Sequence, residues 1–288
     1  MSKPLAFGVA TGLTEDSLQP VELARWLEEN GFESLFIGEH THLPTAPHRY
    51  GDGVGEDYKK FYDPFVSLTA AAAVTERLKI GTAVCLVTEH HPIALAKQVA
   101  TLDRISGGRV VLGLGTGWNT VELANHGVGW ADRWKVARER ILAMREIWTR
   151  ETPEFHGDFV DFDPIWCWPK PLQKGGPPIL LGGGMKPEGV ARRVLEYGDG
   201  WIPLEGGHEI ERTLAAIRSE ARRVGRPIES LDLTIGLGLM QPVTEERIRQ
   251  VRDLGFRRVL FLLNRRGRDE DWKALERFAS VAARFAAG

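Results

Sequence analysis

The sequence predicts one (β/α)8 barrel that spans residues 1–288 as a single domain. Eight short β-rich runs alternate with amphipathic segments, and a chain of 288 residues often forms one such barrel. The apolar residues of each run are mostly continuous, as in parallel strands that are buried on both faces. An open, doubly wound sheet is the alternative that this alternation leaves open. The runs begin at Leu5, Ser34, Lys79, Arg109, Pro178, Gly200, Leu231 and Arg258.

The segments between these runs carry the signals of helices. After the third run, Pro92 suits the first helical turn, and Gly107 and Gly108 supply a left-handed stop. Asp63-Pro64 and Lys186-Pro187 open two further helices in the same way. The helix after Pro92 has four apolar residues on one stripe: Leu95, Val99, Leu102 and Ile105.

Two insertions interrupt the regular spacing, one after the second strand and one after the fourth. The first covers about 41–62, is rich in Gly, Pro and aromatic residues, and follows the carboxyl end of a strand. Barrel enzymes place their substrate loops there, so this segment is a candidate lid. The second covers about 150–177 and contains an alternating stretch, 155–162, that predicts a short hairpin.

Composition and charge exclude several classes of function. The formal net charge is −2 and the pI is about 6.5, which argues against binding to nucleic acid or to an anionic membrane surface. No apolar run reaches the roughly 18 residues that span a bilayer, and the start shows no signal peptide, so we expect a cytoplasmic protein. The two cysteines, Cys85 and Cys167, form no motif with each other.

The carboxyl ends of the strands are where a barrel places its active site, and the second strand ends at Glu39 and His40. A histidine beside a carboxylate at this rim can titrate near neutrality and move a proton, so His40 is the leading catalytic candidate. Glu39 should point to the opposite face of the strand. Its carboxylate is therefore either functional or part of a salt bridge in the barrel wall.

Glycines mark the ends of the fourth and fifth strands. Gly182, Gly183 and Gly184 precede the helix start at Pro187, and such a turn at a helix N-terminus can hold a phosphate. A plain tight turn would use glycine as well. The fourth strand carries a G-x-G-x-G pattern, 113–117, that lacks the G-x-G-x-x-G spacing of a Rossmann site. These glycines would admit a flat ring close to the backbone.

A metal site is a weaker interpretation of the histidines. His40-x-His42 resembles the ligand pair of hydrolase barrels, and His90-His91 lies one strand away. Later strands end without a second His or Asp cluster, so we expect no metal. No G-x-S-x-G motif occurs, which argues against a serine hydrolase of that type.

Three stretches together resemble the luciferase-like monooxygenase superfamily, and most closely its branch of F420-dependent oxidoreductases. They are PVELARWLEENGFESLFIGEHTH, the segment KIGTAVCLVTEHHPIALAKQVATLDRISGGRVVLGLGTGWNTVE, and PPILLGGGMKPEGVARRVLEYGDGWIP. The resemblance covers nearly the whole chain. It implies a (β/α)8 barrel, usually dimeric, that binds a flavin or the deazaflavin F420 at the carboxyl rim.

The resemblance also implies roles for single residues. It places His40 beside the reactive ring and makes 84–86 the segment where the family often has a bulge with a non-prolyl cis peptide. Some members carry an acidic residue directly after the strand-four G-T-G, where this chain has Trp118, and Glu122 follows on the next turn. A sugar-phosphate dehydrogenase is thereby disfavoured. The residues that would contact the cofactor are Val84, Cys85, Thr116, Gly117, Asn119, Gly182, Gly183, Gly184 and Met185.

We therefore expect an oxidoreductase in which F420 exchanges a hydride at C5 with a small organic substrate, His40 assisting the proton. One alternative is an FMNH2-dependent monooxygenase of the bacterial luciferase type. Another is a non-catalytic flavin-binding protein. We also expect a homodimer. An apolar, aromatic-lined pocket is indicated by five residues: Phe61, Tyr62, Trp118, Trp166 and Trp168.

Overall fold

The computed structural model describes residues 5–45, 56–184, 186–205, 209–239, 241–263 and 267–286. Eight parallel strands form a closed barrel in the order β1-β2-β3-β4-β7-β8-β9-β10, and β10 pairs with β1. The predicted (β/α)8 barrel is confirmed. Its strands are β1 (Ala6–Thr11), β2 (Ser34–Ile37), β3 (Lys79–Leu86), β4 (Val110–Gly115), β7 (Ile179–Leu181), β8 (Gly200–Trp201), β9 (Asp232–Leu237) and β10 (Arg258–Leu262).

Helices cover the outside of the barrel and begin where local chemistry favours a start. Asp63 caps the helix that follows it by accepting a hydrogen bond from the Val66 N–H at 2.8 Å. Gly225, with φ of 70°, ends another helix in the left-handed conformation. The helices are α1 (Pro20–Glu29), α2 (Pro64–Ala72), α3 (Pro92–Ile105), α4 (Thr120–Asn125), α5 (Arg133–Thr149), α6 (Pro187–Tyr197), α7 (Ile210–Val224), α8 (Glu245–Asp253) and α9 (Arg268–Ala286).

The two predicted insertions connect barrel strands, the first between β2 and β3 and the second between β4 and β7. The second one contains the expected hairpin, β5 (Phe155–His156) paired antiparallel with β6 (Asp161–Phe162). The described part of the first one includes a short 3-10 helix, Glu56–Lys60; the candidate lid also takes in 46–55, which lie outside the described residues. Among the helices of the described residues, none has the length and apolar character needed to cross a membrane.

The core has two layers, one inside the barrel and one between the strands and the helices. The inner layer is a small cluster of buried apolar residues: Ala10, Phe36, Val111, Leu180, Ile202 and Leu260. At the amino-terminal end of the barrel, Arg258 is buried and pairs with Glu33 at 2.7 Å and Asp232 at 2.8 Å. Burial alone would raise the pKa of Glu33, but Arg258 lowers it to about 2. This end is therefore closed by charged groups, and the open space lies at the other end.

Candidate functional site

A cavity of about 1160 Å³ opens at the carboxyl ends of the strands. Part of its wall is built from glycines and alanines that lie in, or directly after, β1 to β4 and β7. Side chains there would obstruct the wall: a Cβ on Gly12 would overlap the Phe61 ring, and one on Gly115 would lie 2.7 Å from a Val84 methyl. Glycine at these positions therefore lets Phe61 and Val84 pack directly against the backbone of the wall. The small residues of the wall are Ala10, Gly12, Gly38, Ala83, Gly115, Gly117 and Gly182.

Strand β3 is irregular where it borders the cavity. The register between β3 and β4 shifts between Thr82 and Cys85, and the peptide bond from Ala83 to Val84 is cis. Both Ala83 and Val84 line the cavity. The resemblance indicated a bulge with a cis bond in 84–86, and the structure has it one residue earlier.

His40 lies at the rim after β2 and has a defined hydrogen-bond partner at each ring nitrogen. Its Nδ1 lies 2.8 Å from Oε2 of Glu122, and its Nε2 lies 3.1 Å from the indole nitrogen of Trp118. An indole N–H can only donate, so Nε2 must accept. The Nδ1 of neutral His40 therefore carries the proton and donates it to the Glu122 carboxylate.

Glu122 is held under His40 by the start of α4. Asn119 caps this helix by accepting hydrogen bonds from the N–H groups of Val121 at 3.0 Å and Glu122 at 3.2 Å. The buried carboxylate of Glu122 also accepts the backbone N–H of Thr41 at 3.0 Å. Sequence reasoning noted Glu122 without assigning it a role. The N-cap residue after the strand-four glycines was the signal, because it turns the first helical turn back toward the rim.

Glu39 and His40 follow β2, which ends at Ile37 and not at these two residues as predicted, and the Glu39 side chain has partners other than His40. Its Oε2 accepts the Leu86 backbone N–H at 2.6 Å, and its Oε1 lies 2.8 Å from Nε2 of His90. Burial lowers the pKa of His90, but the bond to Glu39 and its charge outweigh that effect and raise it. Burial and the same carboxylate raise the pKa of the Cys85 thiol. The predicted salt bridge in the barrel wall is therefore present, and it fastens β2 to the end of β3.

The same three side chains are the one candidate metal group in the part of the chain that the structure describes. Donor atoms of Glu39, Cys85 and His90 lie within 4.8 Å of one another. Both oxygens of Glu39 already accept hydrogen bonds, as described above. The geometry is that of a hydrogen-bonded structural cluster.

A second buried carboxyl, Glu89, lies behind the His40 pair. The hydroxyl of Thr41 donates to its Oε2 at 3.0 Å, and His126 lies 3.5 Å from the same oxygen. The Glu89 side chain is only 1% exposed. Burial and the nearby charge of Glu122 raise its pKa to about 8, so this carboxyl is protonated at neutral pH.

The glycine turn after β7 forms the opposite side of the cavity. Gly183 and Gly184 have φ of 77° and 91°, values that side-chain-bearing residues rarely adopt. The turn runs into the N-terminus of α6, where Pro187 begins the helix. Arg193 of α6 stacks over the Trp134 ring, 3.9 Å from its centroid, and a Cβ on Gly184 would overlap its guanidinium. The glycine turn, the N-terminus of α6 and the Arg193 guanidinium thus adjoin on one side of the cavity, an arrangement that suits an anion; the Gly182 N–H itself is bonded to the Leu114 carbonyl at 2.8 Å.

Aromatic side chains surround His40 on the remaining side. The ring centroids of Tyr58, Phe61 and Trp118 lie 5.4, 5.9 and 5.2 Å from that of His40. Of the five residues predicted to form an aromatic pocket, Phe61 and Trp118 line the cavity. The other three do not line it and are exposed: Tyr62, Trp166 and Trp168.

The predicted cofactor residues divide into three groups. Six line the cavity: Val84, Thr116, Gly117, Gly182, Gly183 and Gly184. Cys85 and Asn119 are buried behind the wall, where Cys85 packs beside Glu39 and Asn119 caps α4. Neither residue lines the cavity, and their assignment to the cofactor stays a prediction. Met185 lies outside the described residues.

Comparison with known proteins gives one family and several relatives. The model of the luciferase-like monooxygenase family matches residues 6–283. An uncharacterized protein of Mycobacterium tuberculosis is 38% identical over 283 residues, which cover 96% of this chain and 98% of that protein. The F420-dependent glucose-6-phosphate dehydrogenase of Amycolatopsis mediterranei is 30% identical over 76% of this chain and 64% of its own length. The FMNH2-dependent dimethylsulfone monooxygenase of Pseudomonas putida is 28% identical over 80% of this chain and 60% of its own length.

Solved structures show the same fold at lower sequence identity. An F420-dependent secondary alcohol dehydrogenase, in complex with an F420-acetone adduct, superposes with a TM-score of 0.72 at 19% identity, covering 90% of this chain and 93% of that one. A monooxygenase from Streptomyces bottropensis superposes with a TM-score of 0.70 at 23% identity, covering 99% of this chain and 80% of that one. Both likenesses concern the barrel alone.

Proposed function

The chain belongs to the luciferase-like monooxygenase family, whose members are oxidoreductases, and we propose that it transfers a hydride between the deazaflavin F420 and a small organic substrate. The observation that carries the proposal is a single cavity with an anion cradle on one side and a proton-handling histidine on the other. His40 and Gly183 both border this cavity. F420, when bound, supplies hydride chemistry at a ring carbon and leaves the accompanying proton to the protein.

The described residues fit a flat tricyclic cofactor with an anionic tail. The glycine-rich wall and the bulge at Ala83 and Val84 offer an open backbone surface for the ring. The turn of Gly182, Gly183 and Gly184 would hold the phosphate, with Thr116 and Gly117 along the ring. At about 1160 Å³ the cavity has room for both a cofactor and a small substrate, because sites for single drug-sized ligands take roughly 300–1,000 Å³.

The charged side chains that α5, α6 and α7 contribute to the cavity support F420 over FMN. Two of the lining acids, Glu188 and Glu220, belong to α6 and α7, and Glu220 is paired with Arg223 at 2.6 Å. A single FMN phosphate would use only part of the positive charge, whereas the carboxylates on the longer tail of F420 would use the rest. The cationic residues that line the cavity are Arg133, Lys186, Arg192, Arg193 and Arg223.

His40 is the group that we assign to the proton. Its Nε2 accepts the Trp118 N–H, so this bond would have to open before Nε2 takes up a proton, and the Glu122 carboxylate at Nδ1 would then stabilise the imidazolium. Glu39 contributes by position: it fixes the end of β3 through Leu86 and so holds the wall against which the ring would lie. The non-catalytic alternative gives no reason for a buried carboxylate at Nδ1, since a ring-packing histidine does not need one.

Titration of the purified protein with F420 and with FMN, each oxidised and reduced, tests the proposal, with intrinsic tryptophan fluorescence as the signal. We expect F420 to bind more tightly than FMN. Arg192→Gln should weaken F420 more than FMN, and Arg212→Gln, an exposed arginine of α7 paired with Glu209, serves as the control. Tighter binding of FMN, with oxygen consumption when reduced FMN and substrate are added, would establish the FMNH2-dependent monooxygenase instead. The homodimer stays a prediction, which sedimentation velocity would check.

A further inference from the structure

A second cavity lies between α9 and the loop that joins β9 to α8. Its volume is about 620 Å³, within the roughly 300–1,000 Å³ of sites for small ligands. Among the described lining residues, the two that it shares with the candidate site are Leu239 and Leu262. The two cavities therefore adjoin at these leucines but are otherwise built from different residues.

The second cavity has an apolar lining that is held in place by packing. Phe278 of α9 lines it and stacks on the buried ring of Phe261, with centroids 4.6 Å apart and planes at 13°. On the loop side, Gly238 has φ of 100°, and a Cβ there would lie 3.2 Å from a Val243 methyl. Glycine thus lets the loop turn while Val243 packs against it. An aliphatic body would be buried by six lining residues: Leu239, Val243, Leu262, Ala274, Phe278 and Val281.

The charged side chains of this lining leave one guanidinium without a partner. Glu270, near the start of α9, pairs with Lys273 at 2.7 Å. Arg284, near the end of the same helix, pairs with Glu245 at 2.5 Å. Among the residues that the structure describes, none forms a hydrogen bond or an ion pair with the guanidinium of Arg277. An anionic group of a ligand would provide the partner that Arg277 lacks.

The position of Arg277 along α9 separates that anionic group from the acids of the lining. The lining residues of α9 run from 270 to 284, about 21 Å along the helix axis. Asp271, which is 4% exposed, lies six residues before Arg277, about 9 Å along the axis. The long α9 face favours an extended chain over a compact ring.

We propose that the second cavity is a binding site for a medium-chain aliphatic carboxylate, with the chain on the apolar lining and the carboxylate on Arg277. A guanidinium can pair with a carboxylate through two parallel N–H···O bonds. A cationic head group would be repelled by Arg277, and a carboxylate without a chain would leave the apolar lining uncovered. The inference goes beyond the proposed function and does not depend on it, because neither His40 nor the glycine turn lines this cavity.

Isothermal titration calorimetry of the purified protein tests the inference with three probes: sodium octanoate, octylammonium chloride and sodium acetate. Octanoate and octylammonium have the same chain length class and opposite head-group charges, whereas acetate has the carboxylate without the chain. We expect octanoate to bind at least tenfold more tightly than either of the other two. Equal or tighter binding of octylammonium or acetate, or no binding of octanoate, would overturn the inference.

Three variants assign octanoate to this cavity. Arg277→Gln removes the charge of an exposed side chain and should weaken octanoate about threefold to tenfold, the usual effect of one charge-assisted contact at a partly exposed site. Ala274→Trp should fill the apolar space and weaken octanoate at least tenfold; if this variant does not fold, Arg277→Gln still decides. Arg192→Gln, which changes an arginine of the candidate site, should bind octanoate as the wild type does. Unchanged affinity in Arg277→Gln, or loss of affinity in Arg192→Gln, would place octanoate elsewhere and overturn the inference.

Discussion

Replacing Glu122 by glutamine tests the assignment of the proton to His40. The substitution exchanges one buried carboxylate oxygen for an NH2 group and keeps the shape of the side chain. In the wild-type protein Oε1 accepts the Thr41 N–H at 3.0 Å and Oε2 accepts the proton of His40 Nδ1 at 2.8 Å. A glutamine has only one oxygen for these two donors. If the oxygen stays with Thr41, the NH2 group faces Nδ1, the imidazole must carry its proton on Nε2, and that N–H then meets the N–H of Trp118.

The size of the effect follows from this conflict. Every arrangement of the glutamine leaves one buried donor facing another, and a buried unsatisfied donor costs about 1–3 kcal/mol. The arrangement that keeps the Nδ1 proton on His40 turns the NH2 group toward two backbone N–H groups, those of Thr41 and of His42 at 3.5 Å, and so carries this cost once more than the other arrangement. If only the Nδ1-protonated form of His40 accepts the substrate proton, the additional cost corresponds to a fall in turnover of about 5- to 150-fold. Loss of the carboxylate charge acts in the same direction, since it no longer stabilises the imidazolium. Cofactor affinity should stay within about twofold, because Glu122 does not line the cavity.

Two measurements on Glu122→Gln check these expectations: turnover with F420 and a reactive substrate, and the protonation of the two His40 ring nitrogens by 15N NMR. Asp161→Asn is a matched control, because it changes a carboxylate that pairs with a histidine, His156, at 2.7 Å on the exposed hairpin. We expect the control to behave as wild type. A variant that turns over at the wild-type rate, or one that is slow while His40 keeps its Nδ1 proton, would refute the reasoning.

Three further predictions concern residues around the same cavity. His40→Ala should fold and retain F420 but lose about 10²- to 10⁴-fold in turnover, the usual contribution of a positioned proton donor; loss of cofactor affinity with turnover unchanged would instead show that His40 only packs against the ring. Gly183→Val should weaken F420 and FMN at least tenfold, because φ is 77° there and a side chain would enter the cradle, while Gly225→Ala, also left-handed with φ of 70° but outside the cavity, controls for backbone strain. The raised pKa of Glu89, about 8, means that the folded protein holds a proton that the unfolded chain releases above its ordinary value of 4.5. Wild-type stability should therefore fall as pH rises between these values, and Glu89→Gln should flatten the fall in Tm from pH 5.5 to 8.5; equal slopes would contradict the buried, protonated carboxyl.

The barrel could be predicted from local patterns along this sequence. Each continuous apolar run has the length of a buried strand and is too short for a buried helix. Residues such as Asp63 and Pro92 mark the starts of the helices that follow. Right-handed crossovers then leave a closed barrel as the economical arrangement. For the same reason His40 and Gly183 could be assigned to the site in advance: both follow strand ends, and the fold brings all carboxyl ends to one rim.

The partners of these residues were decided by the tertiary structure alone. Glu39 and His40 both follow the end of β2 at Ile37, so strand alternation does not set their directions. The Asn119 cap indicates that Glu122 lies near the rim, but not that this residue, 82 positions further along, would take Nδ1 of His40. Trp118, directly after β4, donates to His40, whereas Trp166, within the second insertion, is 82% exposed, although both were predicted to line the same pocket. Within a strand, alternation fixes the face on which each side chain lies, so that face can be predicted from the strand's own residues. A side chain beyond the strand end takes its direction from the neighbours that the closed barrel packs against it.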